Sequence, residues 1–298
     1  MTMHLLVGAL ALALCACSSE APPPAAADTS SQATAETSAA ERLEAVLAAQ
    51  PEEAKARYAH RHPKETLEFF GIEPGMTVVD TLPGEVWYTG ILLDYLGPEG
   101  KVIGADYSPE MWTHFGDFAP DPKTRETWTA DFVQKAQGWR DEGDAQVGAV
   151  QFGAVPEDMA GTVDVVLIIR ALHHFNRLED KGGYLTQALA DAKKMLKPGG
   201  VVGVVAHRAP EENPDDWASG EAGYLKQSAV IQAFENAGFE FAGSSEINAN
   251  PNDRPTTDDV VWRLPPTLAT SRDNPELKAQ MEAIGESDRM TLKFRKPT

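Results

Sequence analysis

Cysteine is almost absent from this chain of 298 residues, and the two that occur, Cys15 and Cys17, both fall at the extreme N-terminus. The rest of the chain therefore has no disulfide and no thiol nucleophile. Basic residues are also scarce: 26 Lys and Arg stand against 45 Asp and Glu, a formal charge of −19. A surface of that sign repels phosphate backbones, and no Lys/Arg stripe is clustered anywhere, which excludes nucleic acid as a partner. No apolar run reaches the roughly 20 residues that a membrane-spanning helix needs. No His/Cys/Asp/Glu cluster shows metal-ligand spacing, and no metal is expected.

What is present begins with an apolar run, Leu5–Leu14, too short to span a bilayer but suited to the h-region of an export signal. It ends in Leu14-Cys15-Ala16-Cys17, which resembles a bacterial lipobox and implies lipidation of Cys17. No Lys or Arg precedes the run, and a plain secretory peptide is the alternative. Ser18 favours a periplasmic lipoprotein of the outer membrane over the inner one. Ser18–Ala39 carries neither aromatic nor branched aliphatic residues and cannot bury enough surface to offset the entropy of ordering. The expected organisation is a signal peptide over 1–17, a flexible linker over 18–40 and one domain over 41–298.

The domain opens with helical segments. AERLEAVLAAQ places Leu43, Val46 and Leu47 on one face, and Pro63 opens KETLEFF, which Gly71 closes. From Met76 the pattern alternates. MTVVDT, KVIGAD, VDVVLIIR and VVGVVAH read as strands buried on both faces. YLTQALADAKKMLKPGG between them reads as an amphipathic helix ended by Gly199-Gly200. Such β-α-β alternation predicts a doubly wound α/β fold with an N-terminal helical extension, binding its ligand at the carboxyl ends of the strands. The stretch VVDTLPGEVWYTG then puts Asp80 at the end of the first strand, Gly84 in the turn and a helix start just beyond. About 20 residues later Asp106 ends the second strand, where an acid can accept from both ribose hydroxyls.

HPKETLEFFGIEPGMTVVD, PGEVWYT, GPEGKVIGAD, DVVLIIRALHHF, LKPGGVVGVVAHRA and the C-terminal SDRMTLKFRKP together make the chain similar to the class I S-adenosylmethionine-dependent methyltransferases, and to predicted members of exported bacterial type. The resemblance runs from about Arg57 to Pro297. It implies a mostly parallel seven-stranded sheet with the last strand antiparallel, S-adenosyl-L-methionine as cofactor, and a small-molecule methyl acceptor. Candidate cofactor contacts are Asp80, Gly84, Trp87, Asp106, Tyr107 and Arg170; candidate catalytic residues are His173 and His174, just after the fourth strand.

The turn departs from the family: three positions that usually carry glycine read Leu82, Gly84 and Val86. A Cβ at 86 limits how closely backbone and ligand approach, and Glu85 adds a negative charge there. Gly153-Ala154 stands where the family often has an adenine-contacting acid, with Glu157 or Asp158 as possible substitutes. Each candidate also has a purely structural role open to it: Asp80 as a local cap, Trp87 as packing, one histidine as core. The alternative to an enzyme is a non-catalytic envelope lipoprotein that keeps the fold and has lost the cofactor. A dinucleotide oxidoreductase is disfavoured by the missing glycine fingerprint. Two long polar segments, 209–224 and 250–277, are candidate walls of a substrate pocket.

Overall fold

The computed structural model describes residues 29–84 and 86–298. The expected signal peptide, Cys17 and the first part of the expected linker lie outside the described residues. The first described helix, α1, runs Thr29–Ala49. Its part from Ser38 onward belongs to the compact body of the chain. Short helices α2 (Glu52–Lys55) and α3 (Tyr58–Arg61) lead into α4 (Pro63–Phe70), which has Pro63 in its first turn and ends on left-handed Gly71, as the sequence predicts.

Eight strands follow: β1 Thr77–Thr81, β2 Lys101–Asp106, β3 Gln146–Gln151, β4 Val163–Ile169, β5 Leu196–Ala209, β6 Leu225–Lys226, β7 Glu240–Ser245 and β8 Arg289–Arg295. They form one sheet in the order β3-β2-β1-β4-β5-β8-β7, with the two-residue β6 paired to β5 off this path. Neighbours are parallel from β3 to β5, and β8 runs antiparallel to both β5 and β7. This is the doubly wound, mostly parallel sheet that the alternation predicts, with the C-terminal strand inserted antiparallel.

The helices between strands are α5 (Trp87–Leu96), α6 (Pro109–Trp112), α7 (Pro122–Ala136), α8 (Leu172–Arg177), α9 (Glu179–Gly182), α10 (Tyr184–Met195), α11 (Gln227–Asn236) and α12 (Pro275–Ile284). The period of two in the strands divides the core. Val79, Ile103, Val166 and Val204 pack on one face with Phe175 of α8, Leu189 of α10 and Phe234 of α11. Val78, Val102, Val165 and Val205 pack on the other with Leu43 of α1, Leu67 of α4 and Leu92 of α5. Burial on both sides is why these strands read as continuous apolar runs.

One boundary differs from the sequence reading. The helix ends at Met195 and the strand starts at Leu196, so Lys197-Pro198-Gly199-Gly200 belongs to β5. Lys296 N–H bonds the Gly200 carbonyl at 2.9 Å, and this edge pairing extends the strand back through the glycines.

Candidate functional site

The turn after β1 takes a glycine-like backbone at all three expected positions although only one is glycine. Leu82, Gly84 and Val86 have φ of 53°, 54° and 56°. A side chain in the left-handed region costs about 1–2 kcal/mol, most for a β-branched residue. Short bonds hold the turn in place: Leu82 N–H donates to the Ala105 carbonyl at 2.7 Å, and Val86 N–H to the Pro83 carbonyl at 2.7 Å. The first of these ties the turn to the end of β2, one residue before Asp106.

Turn and strand end open onto a cavity of about 860 Å³. Leu82, Pro83, Gly84 and Val86 form one wall, and Asp106, Tyr107, His174 and Arg177 the floor. The rest is largely aromatic: Phe115, Phe118, Phe132 and four of the six tryptophans, Trp112, Trp128, Trp139 and Trp262. Gly104 allows part of this, since a Cβ there would meet the Phe132 ring at 2.6 Å and push α7 off the sheet. The far wall comes from the segment 260–272. It is anchored by buried Arg263, whose Nη2 donates to Asp253 at 2.8 Å and whose Nε donates to Asp259 at 2.9 Å. Val261 N–H also donates to the Ala222 carbonyl at 2.8 Å.

Asp106 is buried at the cavity floor. Its Oδ1 accepts from Tyr107 N–H at 2.8 Å and its Oδ2 from the Trp112 indole at 3.1 Å. A carboxylate has about four lone-pair positions, so two stay available to a ligand. Burial lifts its pKa to about 6, against the two hydrogen bonds, which lower it.

Tyr107 is fully buried, and its hydroxyl meets His174 Nδ1 at 2.5 Å. Burial and then Asp106 raise the tyrosine well above its ordinary value, while burial and then Arg177 depress His174 to about 3. The buried Tyr107 hydroxyl has His174 as its one side-chain partner, so the phenol is assigned as the donor to Nδ1 and the neutral imidazole carries its hydrogen on Nε2. His174 thus offers the cavity an N–H donor and not a basic nitrogen.

Of the sequence candidates, the structure brings Gly84, Asp106, Tyr107 and His174 together on the cavity wall and leaves four others off it. Asp80 lies buried under α5 and accepts from the Thr89 hydroxyl at 2.7 Å. Burial lifts its pKa to about 6, and its position is that of a local cap. Trp87 turns the opposite way from Val86: its indole donates to the Ala54 carbonyl at 3.2 Å and packs edge-on to Tyr58. His173 is buried beside His174 and His207, and neither ring nitrogen has a partner. Burial, more than its neighbours, keeps it neutral. Arg170 takes a left-handed φ of 60° and joins a group of arginines instead. Glu157 and Asp158 are exposed on a short 3-10 turn, with Glu157 paired to Lys194, and neither lines the cavity.

Most of the aromatic wall escaped the sequence reading. Its signal was the density of rings between Trp112 and Trp139, a stretch that lies directly after the β2 acid. Of the two long segments, 250–277 contributes to the cavity and 209–224 does not. Among the described residues no three His, Cys, Asp or Glu side chains come within reach of one metal ion, and no helix is long and apolar enough to cross a membrane.

No family model and no curated protein matches the chain. Solved structures similar to it include a chain of the complex formed by the Haloferax volcanii Trm112 methyltransferase activator, 21% identical over 86% of this chain and 98% of that one, at a TM-score of 0.46. Another is the cyclase SpnF, 16% identical over 80% and 81%, at 0.48. A third is a SAM-dependent methyltransferase from Aquifex aeolicus, 19% identical over 67% and 93%, at 0.45.

Proposed function

We propose that the chain is an S-adenosylmethionine-dependent methyltransferase acting on a small, largely apolar molecule. The observation that carries this reading is that Asp106 and the left-handed turn Leu82–Val86 open onto one cavity at the carboxyl edge of a doubly wound sheet. The cavity volume is within the roughly 300–1,000 Å³ typical of small-molecule sites. The donor set suits the cofactor: Asp106 has lone pairs left for the ribose diol, and the turn offers the Gly84 backbone N–H ahead of α5. The cofactor when bound supplies an activated methyl group, so the protein's work is mainly positioning. Tyr107, Trp112 and Phe115 offer flat apolar faces, and the 260–272 wall excludes water. His174 Nε2–H donates to an oxygen of the acceptor and orients it; with Nδ1 engaged, His174 does not take up a proton.

The full chain unfolded thermally with S-adenosylmethionine, and separately with its demethylated product, tests this. Saturation at about 100 times the dissociation constant adds roughly 2.7 kcal/mol, a shift of a few degrees. Asp106→Asn is expected to abolish the shift. No shift at millimolar ligand would favour a second reading, a fold that has lost its cofactor, for which the Val86 side chain on the cavity wall is the specific observation. We also propose export and anchoring at Cys17; fatty-acid labelling lost in Cys17→Ser is the expected result, and labelling retained in that variant would refute it.

A further inference from the structure

Glu286 is a buried carboxylate crowded by cations. Its Oε1 accepts from Arg57 Nη2 at 2.8 Å and Nε at 3.2 Å, and its Oε2 from Arg289 Nη1 at 2.9 Å. Arg61 Nε reaches both oxygens at 3.4 Å. Its acceptor positions are then filled. A fourth arginine stands beside them: Arg170 follows Ile169, which lies opposite Val205 on β5, while Arg289 on β8 lies opposite His207. Arg170 N–H donates to the Val205 carbonyl at 2.7 Å, which fixes the residue at this end of the sheet. Its side chain donates to no described residue, and Nε is buried without a partner, as is Nε of Arg289. Arg170 is part-buried as a residue, and Nε is the one nitrogen of its guanidinium that is both shut off from solvent and without a partner. None of the four arginines lines the aromatic cavity.

Four guanidinium groups against one carboxylate leave three positive charges in excess in a region of low solvent access. Uncompensated buried charge is costly, and the planar fork of arginine matches oxyanions bidentately. We propose that Arg57, Arg61, Arg170 and Arg289 form an oxyanion site, in which the outer nitrogens of Arg170 take a carboxylate or phosphate group of a small molecule. Glu286 holds the other three in position, and Arg170 is the one left free for the ligand. The site stands independently of the methyltransferase reading. Its ligand group could be the amino-acid carboxylate of S-adenosylmethionine or an anion bound separately.

The test is thermal unfolding of the full chain in sodium phosphate against sodium chloride at matched ionic strength. Phosphate is expected to raise the midpoint saturably, and Arg170→Gln to weaken its apparent affinity by at least about tenfold, the effect of one lost charged hydrogen bond. In chloride alone Arg170→Gln is expected to unfold at a higher temperature than the native chain, because one of four like charges is gone; an arginine with only a structural role would lower it. Arg57→Gln, at the more exposed edge of the group, is expected to weaken the phosphate response as well and serves if Arg170→Gln does not fold. An absent phosphate response, or one unchanged in both variants, overturns the proposal. Saturating S-adenosylhomocysteine then separates the sources: it cancels the phosphate increment if its own carboxylate fills the site, and adds to it if the anion is separate. No response to S-adenosylhomocysteine alone counts against the methyltransferase reading and leaves the phosphate result standing.

Discussion

The two sides of the β1 turn treat charge in opposite ways. Toward the cavity, burial works against ionisation: Asp106 is raised to about 6, Tyr107 keeps its proton and His174 stays neutral. Toward the arginines, ionisation is enforced, and Glu286 is held down to about 2 because Arg289, Arg61 and Arg170 outweigh the cost of its burial. The same depth of burial therefore produces a neutral, aromatic pocket on one side and a fixed positive field on the other. What decides is the company each group keeps: one indole and one amide beside Asp106, three guanidinium groups beside Glu286.

Removing the carboxylate that organises the charged side breaks the comparison most severely. Glu286→Gln leaves Arg61 and Arg289 buried without a counter-charge, and an expected loss of about 3–5 kcal/mol follows. Urea unfolding of the full chain measures it. A loss below 1 kcal/mol would mean that water screens the arginines and that the two sides do not differ as described.

Acidification sharpens the comparison, because the buried carboxyl groups of the two regions respond with opposite sign. Asp80 and Asp106 bind their protons more tightly folded, at about 6, than at the ordinary 3.8. The stability they contribute is complete below pH 3.8 and is lost as pH rises through 6. Between pH 7 and 4.5 acidification should therefore add about 2 kcal/mol for each. Glu286 binds its proton more weakly folded, at about 2 against 4.5. Its contribution is complete above pH 4.5 and is lost as pH falls toward 2, about 3 kcal/mol in all. The neutral histidines oppose the gain from Asp80 and Asp106: His174, at about 3 folded against 6.5, loses about 2.5 kcal/mol between pH 7 and 4.5, and His173 and His207, held well below the ordinary value by burial, act in the same direction, so the native chain is expected to be most stable near neutral pH. The carboxyl contribution is read by difference: between pH 7 and 4.5, urea unfolding should show Asp106→Asn losing about 2 kcal/mol more than the native chain, and an equal loss in the two would contradict the account of Asp106.

The turn between the two regions has a smaller effect to give. Val86→Gly removes about 1–2 kcal/mol of left-handed strain and returns about 0.5–1 kcal/mol through the freer unfolded chain. A net gain near 1 kcal/mol is expected. The substitution also clears a side chain from the cavity wall, so the response to S-adenosylmethionine should rise with it. A destabilised variant would show that the Val86 side chain contributes more by packing than its backbone costs.

The sheet was legible because its strands are buried on both faces: runs such as VVLII have no other stable home in a chain this size. Asp106 was legible because strand ends are fixed by the sheet and the acid is one residue from the turn in space. Asp80 and Trp87 lie equally near that turn in sequence, yet side-chain direction separates them from the cavity, and spacing carries no information on direction. The arginine group was illegible for another reason. Arg57 precedes α3, Arg61 ends it, Arg170 follows β4 and Arg289 starts β8, and only the antiparallel insertion of β8 beside β5 gathers them. Of the four, the sequence singles out Arg170 alone, as a candidate cofactor contact.

The smallest expected effect tests the neutral side at its finest point. Tyr107→Phe removes the hydrogen that fixes the His174 tautomer. The lost bond between two neutral groups costs about 1 kcal/mol, while the ring stays packed between Phe115 and Phe175. The informative readout is the imidazole itself. In the native chain, nitrogen shifts of His174 should report Nε2–H as the dominant form across pH 5–8. In the variant, Nδ1 is free to carry the hydrogen, and both tautomers should appear. Since burial and Arg177 still oppose the imidazolium, the ring should remain uncharged in that range. A native ring with its hydrogen on Nδ1 would make Tyr107 the acceptor of that bond and turn a basic Nε2 toward the cavity, where it could take a proton from the acceptor.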